Sequence, residues 1–430
     1  MRSSAGKRVR VASSPDIGES PRSAPRSSAA DLPPEAARLR VERPDPYVYR
    51  SRLKRAAAAS LDAAGDAFLA RGPKAVDWNQ VRRVAVLRLD HLGDLVLALP
   101  ALRRLKLALP HAALDLWVGP WGKDLAGLFT DVDAVHVSPA PWFKRPQREA
   151  WPWGSIGSLA KGLRAGNYDA AFELRGDLRH HLALWLSGTG VRAGQAVTAG
   201  RFLLSHPARW MPGVHEQDQS LSLMDQAGVP AAGQGSGPYL SLSEAARREA
   251  AALRRSLKLG ASPMLIQAGG GAPSRLWTPE SWAAVLQGLP RSVPVALLGS
   301  EEERAEMRAI ADRVKRPVAV AAGRLKMATL AALLGQARLV LSVNSGPAHL
   351  AAIQGAPVLV VFSAANEAAR WAPRGRRVRV LAARDFPCSP CELTVCPYGN
   401  ACMRAVSPQS VLLEARRMLK AGRAGEKGKP

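Results

Sequence analysis

Three turns in this 430-residue chain hold residues of the types and spacing that chemistry requires. In the first, Asp90-His91-Leu92-Gly93-Asp94 separates an apolar run ending at Leu89 from a helix-like stretch, LVLALPAL. Gly93 lets the backbone turn tightly and leaves Asp94 at a helix N-terminus, facing the space beyond. A carboxylate there is either an ordinary N-cap or a general base. The helix N-terminus lowers its pKa and weakens it as a base, so the second role needs desolvation to oppose that effect. In the second turn, Gly269-Gly270-Gly271-Ala272-Pro273-Ser274-Arg275 lets backbone N–H groups approach an anion, and Arg275 offers a guanidinium fork suited to phosphate. The plainer alternative is a loop with a surface arginine. In the third, Asn344-Ser345-Gly346-Pro347-Ala348-His349 opens another helix. Pro347 suits its first turn, and the N–H groups before it make an anion site that Ser345 can supplement. His349 either joins that site or packs within the turn.

Other patterns narrow the chemistry. No G-x-G-x-x-G occupies the first turn and no G-x-x-x-x-G-K-[ST] occurs anywhere, which argues against dinucleotide oxidoreductases and P-loop ATPases. The four cysteines, Cys388, Cys391, Cys396 and Cys402, are spaced C-x2-C-x4-C-x5-C. The opening resembles a zinc site and the second half is unusually compact, so a bound metal and a structural loop with reduced thiols both stand. Confined to one segment, they do not organise the chain by disulfides, and a reducing cytoplasm is expected.

The turns need elements to position them. Residues 81–89, 113–118, 132–137 and 168–174 read as buried strands, with helices expected over 95–109, 121–128 and 158–165. A second series has strands at 263–268, 293–299, 338–343 and 356–362 and helices at 279–286, 301–314, 327–334 and 347–353. Such alternation predicts α/β domains with parallel sheets wrapped by helices. The Gly/Pro-rich residues 228–237 separate the series, implying two doubly wound domains facing a cleft. Ligands bind beyond the carboxyl ends of strands in such sheets, so the site is expected at the turns after Leu89, Ala268, Gly299 and Val343.

Hydrophobic residues make up 47% and charged residues 22%, the globular range. No apolar run approaches the roughly 18 residues of a membrane span, and no secretory h-region follows Met1. Sixty Lys+Arg against 35 Asp+Glu give +25, a field that attracts nucleic acid, anionic lipid headgroups or phosphorylated substrates. Nucleic acid lacks a recognised module or aromatic platform here and is set aside. Residues 1–55, with 13 Lys+Arg against 6 Asp+Glu, read as a disordered basic arm, a solvated tail or an electrostatic tether. Residues 56–80 read as a helical linker, 81–235 as the first domain, and 236–430 as the second with its Cys-rich segment and C-terminal helix.

Over residues 83–413 the chain resembles the ADP-heptose:lipopolysaccharide heptosyltransferases of glycosyltransferase family nine. The resemblance lies in VAVLRLDHLGDLVLALPAL, YDAAFELRGDLR, His215-Glu216, GGGAPSRLW, SVNSGPAHLAA and the cysteine segment, in the family's order. It implies a GT-B fold of two Rossmann-like domains, an N-terminal acceptor domain and a C-terminal nucleotide-sugar domain. It also implies inverting, metal-independent transfer of a heptose from ADP-heptose to a lipopolysaccharide-core-type acceptor. By position, Asp94 is the base, Arg275 contacts donor phosphate, and Ser345, Gly346 and His349 form the diphosphate turn. A carboxylate for the nucleotide ribose falls in the run Glu301-Glu302-Glu303, with Glu302 and Glu303 the candidates. Asn344 stands where the family usually has Asp and keeps hydrogen bonding to sugar hydroxyls while losing a charge; Asp90 stands where Ser is more usual. Asp131-Val132-Asp133 has the form of a metal site but starts a predicted strand in the other domain, so no catalytic metal or cofactor is expected. The implied setting is the cytoplasm, with a glycolipid acceptor at the anionic inner membrane surface. The alternatives are another donor or acceptor on the same fold, or a degenerate nucleotide-sugar-binding protein.

Overall fold

The computed structural model describes residues 17–18, 32–41, 47–49, 51–69, 75–141, 153–233 and 235–426. Its strands are β1 (Ile17–Gly18), β2 (Arg83–Arg88), β3 (Ala113–Val118), β4 (Ala134–Val137), β5 (Ala170–Glu173), β6 (Val191–Gln195), β7 (His206–Ala208), β8 (Met264–Gln267), β9 (Val295–Leu298), β10 (Ala319–Val320), β11 (Leu339–Val343), β12 (Val358–Phe362) and β13 (Val378–Ala382). Two sheets form, ordered β4-β3-β2-β5-β6-β7 and β1-β13-β12-β11-β8-β9-β10. All their strand pairings are parallel. With β1 set aside, each sheet runs 3-2-1-4-5-6 in its own order of appearance. The winding therefore reverses between β2 and β5 in one sheet and between β8 and β11 in the other, and a crevice opens beyond the carboxyl ends of those pairs. The expected two doubly wound α/β domains are present.

The early strands are continuous apolar runs because both faces are covered. Val84 and Val86 join Leu95, Leu99 and Leu102 of the helix Leu92–Ala108. Ala85, Leu87 and Leu89 join Ile156, Leu159 and Leu163 of the helix Trp153–Gly166 and Leu184 of the helix Leu178–Ser187. Truncating a fully buried residue such as Leu87 to Ala costs about 2–5 kcal/mol, and the loss would fall one residue from Arg88.

The structure adds elements that the sequence pattern did not mark. β6, β7, β10 and β13 are short or polar, and the linker helix begins at Arg52. Within the stretch read as a disordered arm, Pro34–Leu39 is a 3-10 helix with Ala36 buried. Val41 N–H donates to the Pro390 carbonyl at 2.7 Å, and the Tyr49 hydroxyl to the Thr198 carbonyl at 3.0 Å. Ala36 and Val41 are buried, so apolar side chains anchor this stretch. Residues 1–16, 19–31, 42–46 and 50 lie outside the described residues. Among the described residues no helix is long and apolar enough to cross a membrane.

Candidate active site

Arg88, the last residue of β2, is 1% exposed and organises the first turn. Its Nη2 donates to Asp94 Oδ1 at 3.3 Å and to Glu216 Oε1 at 3.2 Å, and its Nε pairs with Asp90 Oδ1 at 3.0 Å. Its Nη1 donates to the Leu174 carbonyl at the end of β5. Arg175 reaches Asp90 Oδ2 at 3.1 Å. From the second domain, Arg370 grips Glu216 Oε2 through two nitrogens at 3.2 and 3.3 Å. Burial alone would weaken the hold of Arg88 on its proton, but Asp90, Asp94 and Glu216 more than reverse this. Three carboxylates and three guanidinium groups thus meet at the β2/β5 switch point, where unpaired burial of any one charge would be costly.

Asp94 is not the N-cap. His91 takes that place, with extended backbone, and Asp94 sits three residues on, accepting the His91 N–H at 3.2 Å in a capping box. The cap falls three residues earlier because Leu92 is already helical. Burial raises the Asp94 pKa, Asp90 raises it further, and Arg88 pulls it down without cancelling the rise. Desolvation thus outweighs the opposing pull, which is the condition for a useful base. The carboxylate remains 13% exposed at the cleft.

The opposing wall is the helix Gly346–Ile353, entered through Ser345, with Pro347 in its first turn. The Ser345 hydroxyl bonds Ser342 at 2.9 Å and makes no cap, leaving the first N–H groups without that partner. This N-terminus abuts that of Leu92–Ala108. A Cβ on Gly346 would lie 3.1 Å from Leu92 Cβ, so glycine is what permits the approach. Asn344 and His349 are buried. Burial, then the charges of His215 and Arg275, push the His349 pKa down to about 3, so the imidazole is neutral. Its buried Nδ1 has no hydrogen-bond partner. His215 caps the helix Glu216–Gln226 and bonds the Ala372 carbonyl through Nε2 at 2.9 Å, its pKa lowered to about 4 by burial.

Arg275 ends a 3-10 turn, Pro273–Arg275. The turn is braced by the Cys-rich segment: Ser274 N–H donates to the Thr394 carbonyl at 2.9 Å, and Asn400 Nδ2 donates to the carbonyls of Pro273 at 2.6 Å and Leu276 at 3.1 Å. No disulfide joins the four cysteines, which line one recess with Ser274, Ser363 and Phe386. Burial and the neighbouring thiols push Cys388 up to about 11. Among the described residues no group of three or more His, Cys, Asp or Glu is placed to hold a metal ion. Asp131 pairs with Arg103 at 2.9 Å, largely buried, and Asp133 with Lys106 at 2.6 Å nearer the surface, which accounts for both carboxylates as ion pairs.

The two glutamates differ. Glu303 precedes the helix Arg304–Asp312, accepts the Ser300 N–H at 2.8 Å and lies so close to Gly269 that a Cβ there would collide with its carboxylate. Glu302 is exposed and turned to Ser300, whose hydroxyl lowers its pKa. The structure thus brings Asp94 together with Gly346 and His349, sets Arg275 near His349, and leaves Glu302 outside. Sequence reasoning gave no role to Arg88, Arg175, Glu216 or Arg370. The usable signal for Arg88 was a charge inside an otherwise apolar strand; for Glu216, its place at a helix start beside His215.

A model of the family described as glycosyltransferase family 9 (heptosyltransferase) matches residues 156–402. The curated lipopolysaccharide heptosyltransferase 1 of Pseudomonas aeruginosa is 25% identical over 372 residues, covering 78% of this chain and 98% of its own. Among solved structures, a glycosyl transferase family 9 protein from Veillonella parvula aligns with a TM-score of 0.67 at 18% identity, covering 81% of this chain and 99% of its own. The ADP-heptose LPS heptosyltransferase II of E. coli aligns with a TM-score of 0.63 at 18% identity, covering 79% and 99%.

Proposed function

Because this chain belongs to glycosyltransferase family 9, the heptosyltransferase family, we propose that it moves a heptose from ADP-heptose onto a hydroxyl of a lipopolysaccharide-core-type acceptor, with inversion and without a metal. The observation that carries this reading is the meeting of two helix N-termini at the cleft, one holding Asp94 and the other Gly346 to His349. The names of the E. coli and P. aeruginosa relatives, an ADP-heptose LPS heptosyltransferase II and a lipopolysaccharide heptosyltransferase 1, support this reading of donor and acceptor.

In this mechanism the domain of residues 81–235 holds the acceptor and that of residues 236–430 the nucleotide sugar. Asp94 takes the proton of the acceptor hydroxyl as its oxygen attacks the anomeric carbon from the face opposite the diphosphate. The bond to the diphosphate oxygen breaks, and the departing ADP gathers negative charge. Arg275 and the N–H groups at Ser345 and Gly346 bind that charge, each more effective for being fixed in place beforehand. Neutral His349 donates to a phosphate oxygen without the cost of burying a second cation beside Arg275. Glu303 accepts from the ribose, and Asn344 from a sugar hydroxyl. The reaction takes place in the cytoplasm, at the inner membrane surface where a glycolipid acceptor is presented.

The test is binding followed by turnover. ADP and ADP-heptose should raise the melting temperature of the purified protein, since a ligand of the native state stabilises it, while UDP and GDP should have little effect. Heptose transfer to a soluble core-oligosaccharide acceptor should follow. Stabilisation by UDP or GDP in preference to ADP would replace the donor with another nucleotide sugar, the change that Asn344 would favour. Binding without turnover would leave a nucleotide-sugar-binding protein.

A further inference from the structure

The helix Arg52–Leu69 precedes the first α/β unit and has two dissimilar faces. Its inner face is fastened. Asp62, 2% exposed, accepts the N–H groups of Gly200 at 2.7 Å and Arg201 at 2.9 Å and the Tyr47 hydroxyl at 2.8 Å. At Gly65 the missing side chain makes room for the Phe202 ring, and Asp66 pairs with Arg201. With Ala58, Asp62 and Gly65 buried, the helix cannot roll its other face inward.

That other face is apolar and open. Leu53, Ala57, Leu61, Ala64 and Phe68 recur at steps of three and four residues, which aligns them on one side of a helix. Leu53 is 80% exposed and Phe68 86%. Large apolar side chains left this open along one stripe mark a contact surface. Cations flank it: Arg52 and Lys54 are exposed on either side of Leu53 at its start. Both acids of the helix are engaged on the inner side.

We propose that this helix is a membrane-docking element, lying flat with Leu53, Leu61 and Phe68 in the headgroup and acyl boundary of an anionic bilayer. An apolar stripe flanked by cations fits that surface, the side chains entering the boundary while the cations meet lipid phosphate. A second copy of the chain would set the same cations against one another. The inference rests on the reading of a glycolipid acceptor, since docking the acceptor domain would bring the cleft to a membrane-held substrate.

Full-length protein should co-sediment with vesicles of phosphatidylglycerol and phosphatidylcholine, and more weakly with phosphatidylcholine alone or at high salt. L53S/F68S should bind the mixed vesicles at least about tenfold less tightly, with melting temperature and transfer to a soluble acceptor unchanged. R52Q/K54Q should weaken binding and flatten its salt dependence. Undiminished binding by L53S/F68S, no binding by the parent protein, or a change from dimer to monomer in L53S/F68S would each overturn the proposal. A parent protein that binds vesicles but transfers no heptose would count against the enzymatic reading and leave the docking surface standing.

Discussion

Gly93 and His349 face each other where the two domains meet, so closely that a Cβ on Gly93 would lie 3.3 Å from the imidazole Cδ2. The contact joins the turn that carries Asp94 to the turn proposed to bind diphosphate. Gly93→Ala should help the helix locally, by about 0.5–1 kcal/mol, because alanine is the better helix former. The added methyl must nevertheless displace a ring that is 5% exposed. The expected result is an unchanged or slightly raised melting temperature with turnover lowered about tenfold, since a small misplacement at a reacting centre is costly. Equal losses of stability and activity would mean the contact is only packing.

Asp94→Asn separates base from cap. The amide oxygen can still accept the His91 N–H, so folding and donor binding should persist, while transfer slows at least about 100-fold. Turnover near that of the parent would remove Asp94 from the mechanism.

The same residue fixes a pH dependence. A base must be ionised, and burial raises the Asp94 pKa, so kcat/KM should fall on acidification at a pH above the ordinary carboxylate value of about 4. The stability change has the opposite sign. A raised folded pKa contributes stability that is present below the unfolded value and lost as pH rises through the folded one. Activity should therefore fade on acidification while protonation of Asp94 itself favours the folded state. An acid limb at the ordinary carboxylate pKa would contradict the burial account.

Glu303 and Glu302 should differ in donor affinity. Glu303→Gln removes a charged acceptor beside Gly269 and should raise the KM for ADP-heptose roughly tenfold, from the loss of a charge-assisted hydrogen bond. Glu302→Gln should stay within about twofold of the parent. The reverse order would assign the ribose contact to Glu302.

Chelation tests the leaving-group chemistry. If Arg275 and the Gly346 helix N-terminus carry the diphosphate charge, EDTA should leave transfer within about twofold. A large loss restored by magnesium or manganese would give that work to a metal ion.

Much of the fold was legible because buried parallel strands are continuous apolar runs: β2, β3, β8, β11 and β12 all lie within the stretches read as strands. β6, with Arg192 and Gly194, and two-residue β10 carry no comparable signal; their neighbours supply the pairing. Asp94, Arg275 and His349 could be singled out because each sits in a turn with helix-start chemistry. Arg370 could not, since its role depends on Glu216 in another domain and nothing local marks it. The His91 cap was missed for a different reason: histidine is a weak N-cap by preference, and the capping box forms around it because Asp94 returns the bond.

The ion-pair chain from Arg370 through Glu216 and Arg88 to Asp94 crosses from one domain to the other. Separating the domains would strip Arg370 from Glu216 and leave that carboxylate's full charge acting on Arg88 and Asp94. That charge would raise the Asp94 pKa. Hydration of the separated surfaces would act the other way, because burial is the first cause of the raised Asp94 pKa and Glu216 a lesser one. Arg370 thus couples the second domain electrostatically to the carboxylate proposed as the base, although the two never touch.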